Sequence, residues 1–124
     1  MARVMLVEDD PVTAAILTVQ LRRSGHLVLS VESAESALSS IAMLGLPDVA
    51  VVDVGLPGRD GLALLDQLRR QLCPHPFGAV VISAGPRSES AVTLTDRDRF
   101  LAKPATSEDL LAAVDEVYRL GRAA

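Results

Sequence analysis

Five short apolar runs recur along the chain at intervals too long for hairpin connections: Val4–Val7, His26–Val31, Val49–Val52, Ala79–Ile82 and Phe100–Ala102. Most are apolar without alternation, the pattern of a strand covered on both faces. Parallel strands need long crossovers, usually helical, and each gap but the fourth carries apolar residues at clear helical spacing. The pattern of strand then helix, five times over, predicts an α/β chain with a doubly wound parallel sheet. The second run is less apolar, with Ser30 inside it and His26 and Glu32 beside it. That suits an edge strand.

Local signals set the helix bounds. Asp10 before Pro11 makes an N-cap and first-turn pair, and Val12 to Arg23 carries Ala14, Leu17 and Leu21 on one face before Ser24-Gly25 closes it. Ser33 caps a segment with Ala34, Ala37, Leu38 and Ile41, ended by Gly45 and Pro47. Leu62 to Leu72 buries Leu65, Leu68 and Leu72. Arg87 to Arg99 is mostly polar, with Ala91, Val92 and Leu94 its apolar members, so the fourth helix should be short or irregular. Thr106 to Asp109 offers capping side chains, and Leu110, Leu111, Val114, Val117 and Tyr118 give the last helix its apolar face.

Composition removes several classes of function. A chain of 124 residues, 49% hydrophobic and 23% charged, reads as one globular domain over 1–124. A net charge of −4 disfavours direct nucleic-acid binding, and two Phe, one Tyr and no Trp leave no platform for stacking bases. Cys73 is the single cysteine, so no intramolecular disulfide forms; it reads as an inert residue at a helix end. Glu8-Asp9-Asp10 breaks the first apolar run, which excludes a signal peptide, and no run reaches the ~18 apolar residues of a membrane span. A cytoplasmic protein is expected. His26 and His75 have no partner pattern and read as surface residues.

The chemistry-bearing residues share one property: each follows an apolar run. Glu8 and Asp9 follow the first, Asp53 the third, Ser83 the fourth and Lys103 the fifth. The carboxyl ends of strands are where open α/β sheets bind ligands. Three carboxylates gathered there repel, and a hard divalent cation, Mg²⁺ or Mn²⁺, relieves the repulsion with oxygen ligands. Asp9 and Asp53 would ligate directly, Glu8 through water, and a backbone carbonyl near Gly55 would complete the protein's share. Asp53 could then act as nucleophile and form an aspartyl phosphate. Lys103 would offset charge on the phosphoryl oxygens and Ser83 would bond one of them. Asp10 and Asp60 read as helix caps.

The motifs Val7-Glu8-Asp9-Asp10-Pro11, Asp53-Val54-Gly55-Leu56-Pro57-Gly58-Arg59-Asp60-Gly61, Ile82-Ser83-Ala84 and Lys103-Pro104 resemble, in order and spacing, the receiver domain of two-component response regulators. The resemblance covers essentially the whole chain. It implies a flavodoxin-like (βα)5 sheet of order 2-1-3-4-5. It also implies Asp53 as phosphoacceptor, Glu8 and Asp9 as the acidic pair, Ser83 as the switch hydroxyl, Lys103 as the phosphate-pairing amine and Phe100 as the switch aromatic. Pro104 is expected to follow a cis peptide. The implied donor is a histidine kinase or histidine phosphotransfer protein. The implied readout passes to a downstream protein through the face near strands 4 and 5. The chain would catalyse its own phosphorylation without being a turnover enzyme. With the last helix using up the chain, it would be a stand-alone receiver or one domain of a larger regulator or hybrid kinase.

Two departures from the family pattern carry consequences. Ser88 to Arg99 is short and polar, and Gly85-Pro86 disfavours an early helix start. This is the signalling face, through which partner choice and any dimerisation would run. Side chains two positions after the phosphoacceptor and the switch hydroxyl help tune dephosphorylation in the family. Here both are glycine, Gly55 and Gly85, which implies slow self-catalysed dephosphorylation.

Three rivals are weaker. A magnesium-dependent phosphohydrolase with an Asp nucleophile needs a second acid where Gly55 stands, and a cap domain. A flavin carrier needs a phosphate cradle where the first loop is acidic. An interaction-only receiver draws support from the atypical region before strand 5, and the intact Glu8, Asp9, Asp53, Ser83 and Lys103 oppose it.

Overall fold

The computed structural model describes residues 2–53, 78–83, 98–102 and 106–123. In chain order these form β1 (Arg3–Val7), α1 (Pro11–Arg23), β2 (Leu27–Val31), α2 (Ala34–Leu44), β3 (Val49–Asp53), β4 (Gly78–Ser83), β5 (Arg99–Ala102) and α3 (Ser107–Ala123). The strands make one sheet in the order β2-β1-β3-β4-β5, with every pair parallel. The helix expected over 62–72 and the irregular segment over 87–97 lie outside the described residues, as do Cys73 and His75.

The apolar runs have no alternation in sequence because both of their faces are buried. Met5, Val7, Ala50, Val52, Ala79 and Val81 pack on one face with Ala37 and Ile41 of α2. Their neighbours Val4, Leu6, Val49, Val51, Val80 and Ile82 pack on the other with Leu21 of α1 and Leu110, Val114 and Val117 of α3. Successive side chains point to opposite faces, so one continuous run feeds two cores. Burying a Val or Leu side chain contributes roughly 1.5–3 kcal/mol. The run thus stabilises two layers at once, which fixes the helices to both faces.

The capping signals act as read. Asp10 is the N-cap of α1 and accepts from Thr13 N–H at 3.1 Å, with Pro11 at the first helical position. Ser33 caps α2 and accepts from Ser36 N–H. Gly25 and Gly45 both take φ of +90°, a conformation other residues rarely adopt, and they end the turns after α1 and α2.

The structure corrects the sequence reading in two places. Arg99 belongs to β5, because the β4 ladder pairs it with Val80 and so recruits it ahead of Phe100. His26 is not a surface residue; it is 7% exposed and precedes β2. Its Nδ1 accepts the Ala2 N–H at 3.1 Å, and its Nε2 lies 3.3 Å from Asp115 Oδ1 on α3.

Candidate functional site

Two carboxylates stand immediately beyond β1, at the carboxyl-end rim of the sheet. Glu8 is buried although charged residues are rarely so. Its backbone N–H extends the ladder to Val31 C=O at 3.0 Å, and its Oε1 accepts the Asp10 N–H at 3.0 Å. Glu8 is therefore built into the turn between β1 and α1. Asp9, half-buried, lies between Glu8 and the N-cap Asp10.

The register sets the other strand ends against this pair. Val7 of β1 pairs with Val52 of β3, so Asp53, the last residue of β3, is level with Glu8 along the sheet. Adjacent strands lie ~4.8 Å apart. Asp53 pairs in turn with Ile82, and Ser83, which closes β4, pairs with Ala102, the last residue of β5. The backbones of Glu8, Asp53 and Ser83 thus lie on three neighbouring strands within one step of the same level. Lys103 follows Ala102 in sequence, but Lys103, Gly55 and Pro104 lie outside the described residues. So do the carbonyl ligand, phosphate-pairing amine and cis peptide expected of them. Phe100, paired with Val81 and half-buried, packs against the cluster on the α2 face.

The donors described at this rim are all oxygen. One carboxylate is buried and one half-buried, a set that fits a hard divalent cation better than a soft one. An open groove of about 640 Å³ runs from Glu8 and Asp9 between α1 and β2, past Thr18 to Arg22 and Glu32.

Two buried polar residues had no role in the sequence reading. Asp98 is 5% exposed and accepts the Ala79 N–H at 2.9 Å, tying the start of β5 to the start of β4. His26 ties residue 2 to α3. Their partners lie far along the chain, so no local pattern could have marked them. On the exposed side of β5, Arg99 donates to Glu116 Oε1 from Nε at 2.9 Å. That hydrogen bond holds the Glu116 carboxyl below its ordinary value against an opposing desolvation, with the charges of Arg99 and Arg119 adding to it.

Comparison with known proteins agrees with this fold. The response regulator receiver domain matches residues 4–115, and the chain belongs to that family. It is 34% identical over 121 residues to the virulence transcriptional regulatory protein PhoP of Salmonella typhimurium, covering 96% of this chain and 53% of that protein. It is 31% identical over 119 residues to the transcriptional regulatory protein PhoP of Escherichia coli O6:H1, covering 94% and 52%. The chain therefore spans about half the length of these curated relatives. Among solved structures it resembles the receiver domain of the Francisella response regulator 1452, with a TM-score of 0.79, 23% identity and coverage of 97% and 98%. It also resembles the response regulator TrrA of Thermotoga maritima, solved in complex with Mg²⁺-BeF, with a TM-score of 0.78, 23% identity and coverage of 94% and 99%. The chain is thus a response regulator receiver domain of two-component signalling, with a CheY-like fold. Response regulators receive phosphoryl groups from histidine kinases, and receiver domains generally bind Mg²⁺.

Proposed function

We propose that this receiver is a working phosphorylation switch with Asp53 as its phosphoacceptor. An Asp53 carboxylate oxygen attacks the phosphorus of a phosphohistidine on a histidine kinase or phosphotransfer protein. A P–O bond forms, the P–N bond breaks, and the imidazole departs with a proton. Glu8 and Asp9, with Asp53 and the Gly55 carbonyl, would hold Mg²⁺ or Mn²⁺, which supplies neutralisation of charge on the phosphoryl oxygens. Lys103 pairs with one phosphoryl oxygen, and Ser83 donates its hydroxyl to another and moves toward it. Phe100 then repacks behind Ser83 and alters the surface beside β4 and β5 for a downstream protein. Residues 1–124 act as one receiver domain without turnover of an external substrate. We place it in the cytoplasm with other response regulators, and without direct nucleic-acid contact of its own. Glycine at 55 and 85 should make the phosphorylated form long-lived.

The observation that carries this reading is the buried Glu8 carboxylate beside Asp9, one strand from the end of β3 and level with it. Burial of charge is costly, and a divalent cation held there would offset that cost in addition to the bond Glu8 makes to the turn. The test is acetyl-phosphate labelling with and without Mg²⁺, read by intact-mass spectrometry on wild type and Asp53→Ala, with a phosphohistidine donor protein as a second arm. Gain of one phosphoryl mass that requires both Mg²⁺ and Asp53 is expected. No gain in either arm overturns the reading in favour of the interaction-only receiver.

A further inference from the structure

Every exposed large hydrophobic side chain among the described residues belongs to α1, β2, or α2 and the turn that follows it. Ile16 and Val19 lie one turn apart on α1, Leu27 and Leu29 alternate along β2, and Leu44 ends α2. Lone exposed apolar residues are ordinary, but a set gathered about one edge marks an interaction surface. α1 and α2 flank the sheet on opposite faces, and the strand between them, β2, is its open edge.

The hydrogen bonding of β2 defines that edge. Leu27 N–H donates to Ala2 C=O and Val31 C=O accepts from Glu8 N–H, so the odd-numbered residues of β2 face β1. Backbone groups alternate along a strand, so Val28 and Ser30 direct theirs outward. Edge strands are ordinarily blunted by proline, lysine or a bulge, and Leu27-Val28-Leu29-Ser30-Val31 contains neither residue. Arg22 donates to the Val28 carbonyl from α1 at 3.3 Å, and a carbonyl oxygen has a second lone pair for another donor.

We propose that this edge pairs with the β2 edge of a second copy of the chain, in antiparallel register about a twofold axis at Leu29. In that register the outward-facing groups of the strand meet one another. Val28 of one copy meets Ser30 of the other, and both are outward-facing, so their N–H and C=O groups exchange bonds on each side of the axis. Leu29 meets Leu29, and Leu27 meets Val31, all on the α2 face. A slip by one residue would set inward-facing groups against outward-facing ones. Charge agrees with the register. The groove beside β2 carries Arg22 toward one end and Glu32 toward the other, and a twofold axis at Leu29 turns the Glu32 end of one copy to the Arg22 end of the next. Such a contact is isologous and closed, so it yields a dimer and not a filament. The pairing does not depend on phosphorylation.

Sedimentation velocity at about 100 µM, a concentration suited to a small interface of micromolar affinity, should show a dimer for wild type. Ser30→Pro removes only an outward N–H, which an edge strand tolerates, and should weaken association about tenfold or more. Leu29→Lys, which sets two ammonium groups together at the axis, should do the same if the proline variant fails to fold by circular dichroism. Register is tested by oxidation in a Cys73→Ser background: Leu29→Cys should cross-link to its own copy and Leu27→Cys should not, since only Leu29 lies on the axis within Cβ reach. A monomeric wild type overturns the proposal, as does a dimer that Ser30→Pro and Leu29→Lys leave intact. Protection of the β2 edge that appears only when a phosphohistidine donor protein is added also overturns it, and assigns the surface to that partner.

Discussion

The two rims of the sheet are built from similar residues for different ends. At the amino-end rim, polar side chains are spent on stitching. Asp48 accepts the Arg3 N–H at 2.8 Å and returns its own N–H to Arg3 C=O. Arg3 reaches the Leu44 carbonyl, His26 takes the Ala2 N–H, and Asp98 takes the Ala79 N–H. At the carboxyl-end rim, Glu8 gives one oxygen to the adjacent turn while Asp9 and Asp53 stand at or beside strand ends. A carboxylate aimed at a backbone N–H of another strand holds the fold; the carboxylates that follow strand ends are the ones we propose for the chemistry. The difference teaches that an Asp is read by what its position along a strand places beside it, and not by residue type alone.

The comparison can be broken by substitutions that exchange these roles. The largest expected effect is Asp53→Ala, which should abolish phosphoryl labelling while leaving the urea midpoint at or above that of wild type, since it relieves carboxylate repulsion. Asp98→Ala should do the reverse: it deprives a buried N–H of its acceptor and should destabilise by about 1–3 kcal/mol in urea unfolding, with labelling of the folded protein retained. If Asp98→Ala loses labelling at temperatures where it is folded, the rims are not separable. Asp10→Ala sits where the reactive rim meets α1; loss of the N-cap should cost about 1 kcal/mol with little change in labelling yield.

The smallest effect concerns Glu116. Its carboxyl is held below the ordinary value of 4.5 by Arg99, so its stabilisation is present above the unfolded value and is lost as pH falls through the lowered folded one. The difference in melting temperature between wild type and Glu116→Gln should be slight at neutral pH, as for surface pairs in general. It should shrink further through the acidic carboxylate range. A difference that grows on acidification would contradict the pairing with Arg99.

Most of the fold was legible because burial on both faces leaves an unmistakable mark. Val49 to Val52 could be little other than a covered strand, and Ser30 betrayed β2 as an edge. The helix faces were legible too: Leu21, Ile41, Leu110, Val114 and Val117 all face a core. For the site, the sequence marked which residues follow strands, and the strand order then set Asp53 level with Glu8. His26 was misread, and Asp98 and Asp48 went unnoticed, for one reason. A polar residue that stitches strands is explained by its partner, and Ala2, Asp115, Ala79 and Arg3 lie 19 or more positions away from theirs. Sequence periodicity reports which face a side chain takes, not what waits there.

The stitched rim has a mechanical consequence. Parallel strands joined only by their ladders could slide past one another by a fraction of a residue, dissipating any disturbance along the sheet. Here β1, β4 and the segments flanking β2, β3 and β5 are riveted at one end by side-chain bonds between 2.8 and 3.1 Å. Such a plate resists shear. A displacement introduced at the opposite end must be taken up locally, by rotation of side chains between that end and the rivets, and Phe100, half-buried two residues before the end of β5, lies in that span.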